Sequence, residues 1–175
     1  MERLGLRDDQ WDRIKDLLPG REGYGGGTAP DNRAFFDGVL YRLTGIPWRD
    51  LPERFGKWSS TYQRFNRWTK SGVFSRIFDI LSSDPDNEYN MIDSTIVRAH
   101  QHSAGAANSS GPQAIGRSRG GLTTKIHTLV DALGNPIERF FNRIKHFRAI
   151  ATRYDKFSRN FLAGIHLIST IVLLN

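Results

Sequence analysis

The sequence predicts an α+β protein: a helical N-terminal part, residues 1–83, followed by residues 84–175, a two-stranded hairpin with C-terminal helices. Two observations carry this. Up to residue 82, apolar side chains recur every three or four positions, the period of a helix with one buried face. Past the turn-forming Asp84-Pro85-Asp86-Asn87 the character changes: residues 89–98 and 123–130 are apolar and β-branched, as strands are.

The elements follow in order. Residues 8–18 form a first helix, with Trp11, Ile14, Leu17 and Leu18 on one face and Pro19-Gly20 ending the run. Residues 23–28 are a glycine-rich link. They lack the Gly-Lys-Ser/Thr ending and the preceding strand of a phosphate-binding loop. Asp31 is placed to cap a second helix whose buried face is Ala34, Phe35, Val39, Leu40 and Leu43, broken at Gly45-Ile46-Pro47. Ser59 or Ser60 caps a third helix through Lys70, and residues 73–81 give a fourth. Residues 103–120, rich in Ser, Gly, Ala and Asn, form a mobile loop. In the second strand Ile126, Thr128 and Val130 share one face, with His127 and Leu129 on the other. Residues 131–136 are turn chemistry. Glu138 opens a helical stretch, and Phe157, Phe161, Ile165, Ile168 and Val172 mark a last amphipathic helix.

A formal charge of +7 and a pI of about 10.0 favour a polyanionic partner, nucleic acid before anionic membrane. The absence of cysteine excludes disulfides, thiolate metal sites and cysteine nucleophiles. The first ten residues are charged and lack the apolar core of a secretory signal. The most apolar stretch, residues 161–174, is shorter than the ~18 apolar residues of a membrane span. The expectation is a cytoplasmic protein with no membrane partner.

Four groups of residues carry chemistry. Between residues 48 and 70, Trp48, Phe55, Trp58, Tyr62, Phe65 and Trp68 interleave with Arg49, Arg54, Lys57, Arg64, Arg67 and Lys70. One helix face would pack while the other meets phosphate, the arrangement of a helical DNA-binding region. Asp93 lies inside an apolar strand, where a carboxylate is costly unless a cation compensates it. Glu138 opens a basic run holding Arg139, Arg143, Lys145 and Arg148, and shares a helix face with Asn142 and Lys145. An acid and a lysine on one face suit a metal-bound phosphate gripped by a cation. Arg117 and Arg119 sit in a flexible glycine-rich segment able to clamp a DNA backbone. His100 and His102, two apart in a strand, would point the same way, but no third ligand lies near and an unbound pair is the simpler reading.

At these residues the chain resembles a known family. The run Gly45-Ile-Pro-Trp-Arg-Asp-Leu-Pro52, with Phe55-Gly56-Lys57-Trp58 and the basic helix after it, resembles the N-terminal region of bacterial insertion-sequence transposases of the IS-five group. Ile92-Asp93-Ser94-Thr95 with Arg98-Ala-His100, the basic loop at 116–121, and residues 123–136 resemble the first two strands of their catalytic domain. Residues 138–145 and Arg153-Tyr154-Asp155-Lys156 resemble its final helical part.

The resemblance implies a ribonuclease-H-like domain with an Asp-Asp-Glu triad that holds Mg²⁺ or Mn²⁺ for DNA cleavage and strand transfer. It makes Asp93 the first acid, Glu138 the last, and Lys145 the lysine seven residues beyond it. It also marks a departure. The family places further strands, helices and its second catalytic Asp between the second strand and the glutamate, whereas here Asn135-Pro136 runs almost directly into Glu138. The catalytic domain is therefore expected to be truncated by an internal deletion, with Asp131 and Asp155 poor substitutes for the lost acid. The implied partners are double-stranded DNA at terminal inverted repeats and a second copy or an intact transposase. The alternative role is a non-catalytic DNA-binding repressor or competitor.

Overall fold

The computed structural model describes residues 5–20, 31–83, 90–104, 113–131 and 137–174. The side chains of residues 90–93, 129–131 and 137–139 lie outside the description. So do the expected link at 23–28, the boundary at 84–87, the hairpin turn after Asp131 and residues 105–112 of the expected mobile loop.

The fold is α+β. Four helices come first: α1 (Asp8–Ile14), α2 (Asn32–Leu43), α3 (Trp58–Lys70) and α4 (Val73–Ser82). Strands β1 (Asn90–Ala99), β2 (Gly116–Ser118) and β3 (Gly121–Asp131) follow, then α5 (Ile137–Lys145), α6 (Arg148–Ala151), β4 (Thr152–Arg153) and α7 (Ser158–Leu173). No helix among the described residues is long and apolar enough to cross a membrane.

Local chemistry sets the helix ends. The Asp31 carboxylate accepts the N–H groups of Arg33 and Ala34, each at 3.0 Å, and so caps α2. The third helix starts earlier than expected. Lys57 stands at its cap, so Ser59 and Ser60 fall inside the first turn. Gly56, at φ +89°, turns the chain into the helix, and Thr61 Oγ1 donates back to the carbonyls of Lys57 and Phe55.

The sheet has order β2-β3-β1-β4, so the expected two-stranded hairpin is corrected to four strands. The central pair, β1 and β3, is antiparallel, from Asn90 opposite Asp131 to Arg98 opposite Thr123. The edges are short. Strand β2 pairs with β3 only at residues 121–123, and β4 pairs in parallel with Arg98 and Ala99 alone. Neither short strand has enough residues to show a period, which is why residues 116–118 read as loop. Glycine makes the β2–β3 turn possible: Gly121 sits at φ +101° and the Ser118 hydroxyl accepts the Gly120 N–H at 3.2 Å.

Among the described residues one hydrophobic core runs through both the helical part and the sheet. Phe36, Phe65 and Phe74 of the first helices, Val97 and Ile126 of the sheet, and Ile144, Ile150 and Ile168 of the last helices belong to a single buried cluster. The two expected domains therefore share their interior. Helix α7 lies at its centre, against α3, α4, α5 and α6, and is buried around most of its circumference. That suits a helix apolar on nearly all sides.

A buried ionic network ties the helical part to the sheet. Arg42 of α2 pairs with Asp155 through two bonds of 2.9 and 3.1 Å, with about a tenth of each side chain exposed. Asp155, expected on a helix, lies in the link between β4 and α7. Arg153 of β4 is fully buried. Its guanidinium donates to the carbonyls of Asp155 and Ala114 and to Thr124 Oγ1 of β3, at 3.0, 3.2 and 2.9 Å. Burial pushes its pKa down and Asp155 opposes the shift.

Asp155→Asn would strand the Arg42 charge, and removing one partner of such a pair costs about 3–5 kcal/mol. Urea unfolding should show that loss, while the double variant Arg42→Met/Asp155→Leu should lose less. Equal losses would mean that packing, not charge, decides the site.

Candidate nucleic-acid interface

The segment from Gly45 to Lys57 is short of apolar residues but rich in constraints. Pro47 and Pro52, at φ −59° and −57°, each lead into a short 3-10 turn. Trp48 is driven between Tyr62 and Phe65 of α3, with ring centroids 5.4 and 5.3 Å away, and the Arg42 guanidinium lies 5.3 Å from its ring. This wedge fixes the backbone on which three cations stand. Arg49, Arg54 and Lys57 are all exposed. Arg49 rests 5.9 Å from the Trp58 ring, and Arg54 rests 4.7 Å from Phe55 and 5.6 Å from Tyr41. Such contacts limit the freedom of a guanidinium while leaving its donors available.

Helix α3 splits its expected basic face. Arg67 and Lys70 are exposed in its last turn. Arg64 is not with them. Its guanidinium sits 4.3 Å from the Phe35 ring and 4.7 Å from Trp68, and is hydrogen-bonded to Asn32 Oδ1. Desolvation, and next the nearby Arg67, push its pKa down to about 10. The reason is geometric: a spacing of three drifts by roughly 60° per step around a helix of 3.6 residues per turn. Arg64 therefore belongs with the core, and the exposed basic set on α3 is Arg67 and Lys70.

The C-terminal cations divide similarly. Arg143 and Arg148 are exposed and Lys145 is half-buried; the Arg139 side chain lies outside the described residues. Arg148 packs on Gly45, where an added Cβ would lie 2.9 Å from the arginine Cβ, and Gly45 itself has φ +113°. Only glycine accepts both conditions without displacement. Helix α6 thus brings Arg148 against the turn that leads to Arg49, so cations expected in separate domains stand on adjoining elements. Arg117 in β2 and Arg119 in the β2–β3 turn are exposed.

The expected catalytic residues stand as follows. Asp93 faces Thr128 in the β1–β3 ladder and Glu138 is the second residue of α5, with both side chains outside the described residues. Asp131 ends β3 opposite Asn90. Asp155 is engaged by Arg42. His100 and His102 do not project from one strand: β1 ends at Ala99, and His102 lies in a short 3-10 turn whose N–H reaches His100 Nδ1 at 3.3 Å. Their rings are 4.7 Å apart, and Tyr154 lies 4.9 Å from His100. Among the described residues no three His, Asp or Glu side chains converge to hold a metal.

Sequence reading missed Arg42. A signal existed, because Arg42 interrupts the apolar series Phe35, Val39, Leu40 and Leu43, and a cation on a core face needs a buried acid.

A family model described as "Putative transposase of IS4/5 family" matches residues 6–78. The chain is also 46% identical over 112 residues to "Uncharacterized protein y4sN" of Sinorhizobium fredii (strain NBRC 101917 / NGR234), covering 63% of this chain and 90% of that protein. Over residues 6–78 the chain is similar to the IS4/5 transposase family. Another relative, "Insertion element IS402 uncharacterized 16.2 kDa protein" of Burkholderia cepacia, is 36% identical over 83 residues, 43% of this chain. That match spans 56% of the IS402 protein's own length. No solved structure matches the chain. The family model covers the aromatic wedge and the cations around it, from Arg49 to Lys70.

The divided basic face gives a direct test. Arg67→Ala and Lys70→Ala should each lower the salt dependence of duplex-DNA binding by about one unit of log–log slope and leave thermal stability unchanged. Arg64→Ala should leave the slope unchanged and cost about 1–3 kcal/mol of stability. A slope change with Arg64→Ala at native stability would return that residue to the DNA face.

Proposed function

We propose that this chain binds the terminal inverted repeats of an insertion sequence as double-stranded DNA, and that its own cleavage and strand-transfer activity is weak or absent. Such a binder occupies element ends and competes there with an intact transposase. The observation that carries the binding half is the packing of Arg148 on Gly45, which sets the basic residues of the C-terminal helices beside those of the aromatic wedge. A cationic surface contributed by both halves follows the phosphates of a duplex better than either half alone. The ribonuclease-H-like reading draws support from the topology: β1 is antiparallel to β3 and, through α5 and α6, parallel to β4.

The catalytic half rests on the acids. Two-metal chemistry supplies an activated oxygen nucleophile and a stabilised leaving oxygen, with ions held ~4 Å apart by several carboxylates. Asp93 and Glu138 would be two of these for Mg²⁺ or Mn²⁺. Among the described residues no group of three such ligands converges. Asp155 cannot leave Arg42 without stranding a buried charge. Asp131 lies three rungs from Asp93 on the ladder, about 10 Å along the strand. Neither Asp155 nor Asp131 is placed to complete the metal-binding set.

The test uses the full chain, Mg²⁺ or Mn²⁺, and a duplex carrying the terminal repeats that flank its gene. Gel shift should show salt-sensitive retention of that duplex over an unrelated one, with no nicked product on a denaturing gel. Asp93→Asn and Glu138→Gln should leave retention unchanged. Cleavage that both substitutions abolish would contradict the proposal.

A further inference from the structure

We infer that the open face of the β1–β3 ribbon is a second DNA-contacting element, one that enters the major groove; this rests on the duplex-binding reading above. The sheet is only two strands wide over most of its length. Between Ser94 and Val97, β1 has β3 as its partner, while β4 joins only at Arg98 and Ala99 and β2 joins β3 only at residues 121–123. One face of this ribbon carries Val97, Ala99, Thr124 and Ile126, all buried against the core. The other face carries Ser94 opposite His127, Ile96 opposite Lys125, and Arg98 opposite Thr123. Lys125, His127 and Arg98 are exposed, and Ile96 is 57% exposed.

The composition of that face selects its partner. Among the described side chains its six positions hold Arg98, Lys125 and His127 and no acid, so charge complementarity calls for an anion. A second copy of this chain, at +7, would bring the same sign. The shape selects further. Two strands ~4.8 Å apart, with their side chains, fit a major groove ~12 Å wide, which admits a two-stranded ribbon. The ribbon is held from behind by its buried face, and no described strand flanks the rows Ser94–His127 and Ile96–Lys125; β4 and β2 flank the Arg98–Thr123 row. Arg98 and Lys125 are residue types that read the O6 and N7 acceptors of guanine. Ile96, an exposed β-branched residue directly opposite Lys125 and two residues before Arg98, suits the thymine methyl, the apolar feature of that groove. The aromatic wedge and Arg148 grip phosphates; the ribbon adds contacts to base edges.

The experiment places photo-reactive benzoylphenylalanine at position 96 of the full chain and irradiates it with the terminal-repeat duplex. The double variant Arg98→Ala/Lys125→Ala is titrated against the same duplex over a range of salt. The expected result is a protein–DNA cross-link from position 96. The double variant should also lose about two units of salt slope and discriminate less between the terminal repeat and unrelated DNA, at unchanged melting temperature. If the chain binds the duplex but position 96 forms no DNA cross-link and the double variant keeps slope and discrimination, the ribbon is not the contact and the DNA-binding reading survives. If position 96 cross-links to a second copy instead, the face is a protein interface and the inference fails. If the unsubstituted chain does not bind the duplex at all, the DNA-binding reading and this inference fail together.

Discussion

The pairing of Arg42 with Asp155 is the constraint on which the rest of the structure depends. It joins a residue of the second helix to one 113 positions away, in the link to the last helix. Both partners are almost entirely withdrawn from water, so neither can give up the other cheaply. Asp155 sits two residues after Arg153, whose guanidinium reaches back to Thr124 in the sheet. Helix α2, the last helix and strand β3 are thereby fixed to one another by charge-assisted contacts as well as by apolar packing. The same pair holds the Asp155 carboxylate in place as a structural anion.

Arginine does different work at different depths. Arg42 and Arg153 are structural cations, held by an acid, by carbonyls and by aromatic rings. Arg64 is held by two rings and an amide, which is cheaper than a paired carboxylate because guanidinium is weakly hydrated and stacks well. Arg49 and Arg54 lie on rings at the surface, and Arg67 stands in solvent. Net charge alone overstates the exposed basic set, because Arg42, Arg64 and Arg153 are held in the interior.

The sequence reveals helices and caps well where the chemistry is local. The Asp31 cap, the buried Phe35, Val39, Leu40 and Leu43, and the β1 and β3 strands all rest on short-range pattern, and all stand in the structure. What it does not reveal is long-range. Nothing near Arg42 announces Asp155, and nothing near Gly45 announces Arg148. The short strands β2 and β4 exist because β1 and β3 offer them an edge, not because three or two residues have a pattern. The shared core was hidden for the same reason: no short-range pattern links Phe36 or Phe74 to Ile144 or Ile168. On the candidate site, spacing found the exposed cations and the aromatic frame, but it grouped Arg64 with them because a three-residue repeat resembles a stripe over two turns.

The helical part and the sheet fold as one unit around the Arg42–Asp155 pair. All four tryptophans, at positions 11, 48, 58 and 68, lie in the helical part, so their fluorescence reports its unfolding. Amide hydrogen exchange of β1 and β3 reports the sheet. Followed through the same urea series, the two signals should give one coincident transition with the same midpoint and slope. Loss of protection in β1 and β3 at urea concentrations that leave the tryptophan signal native would contradict the account.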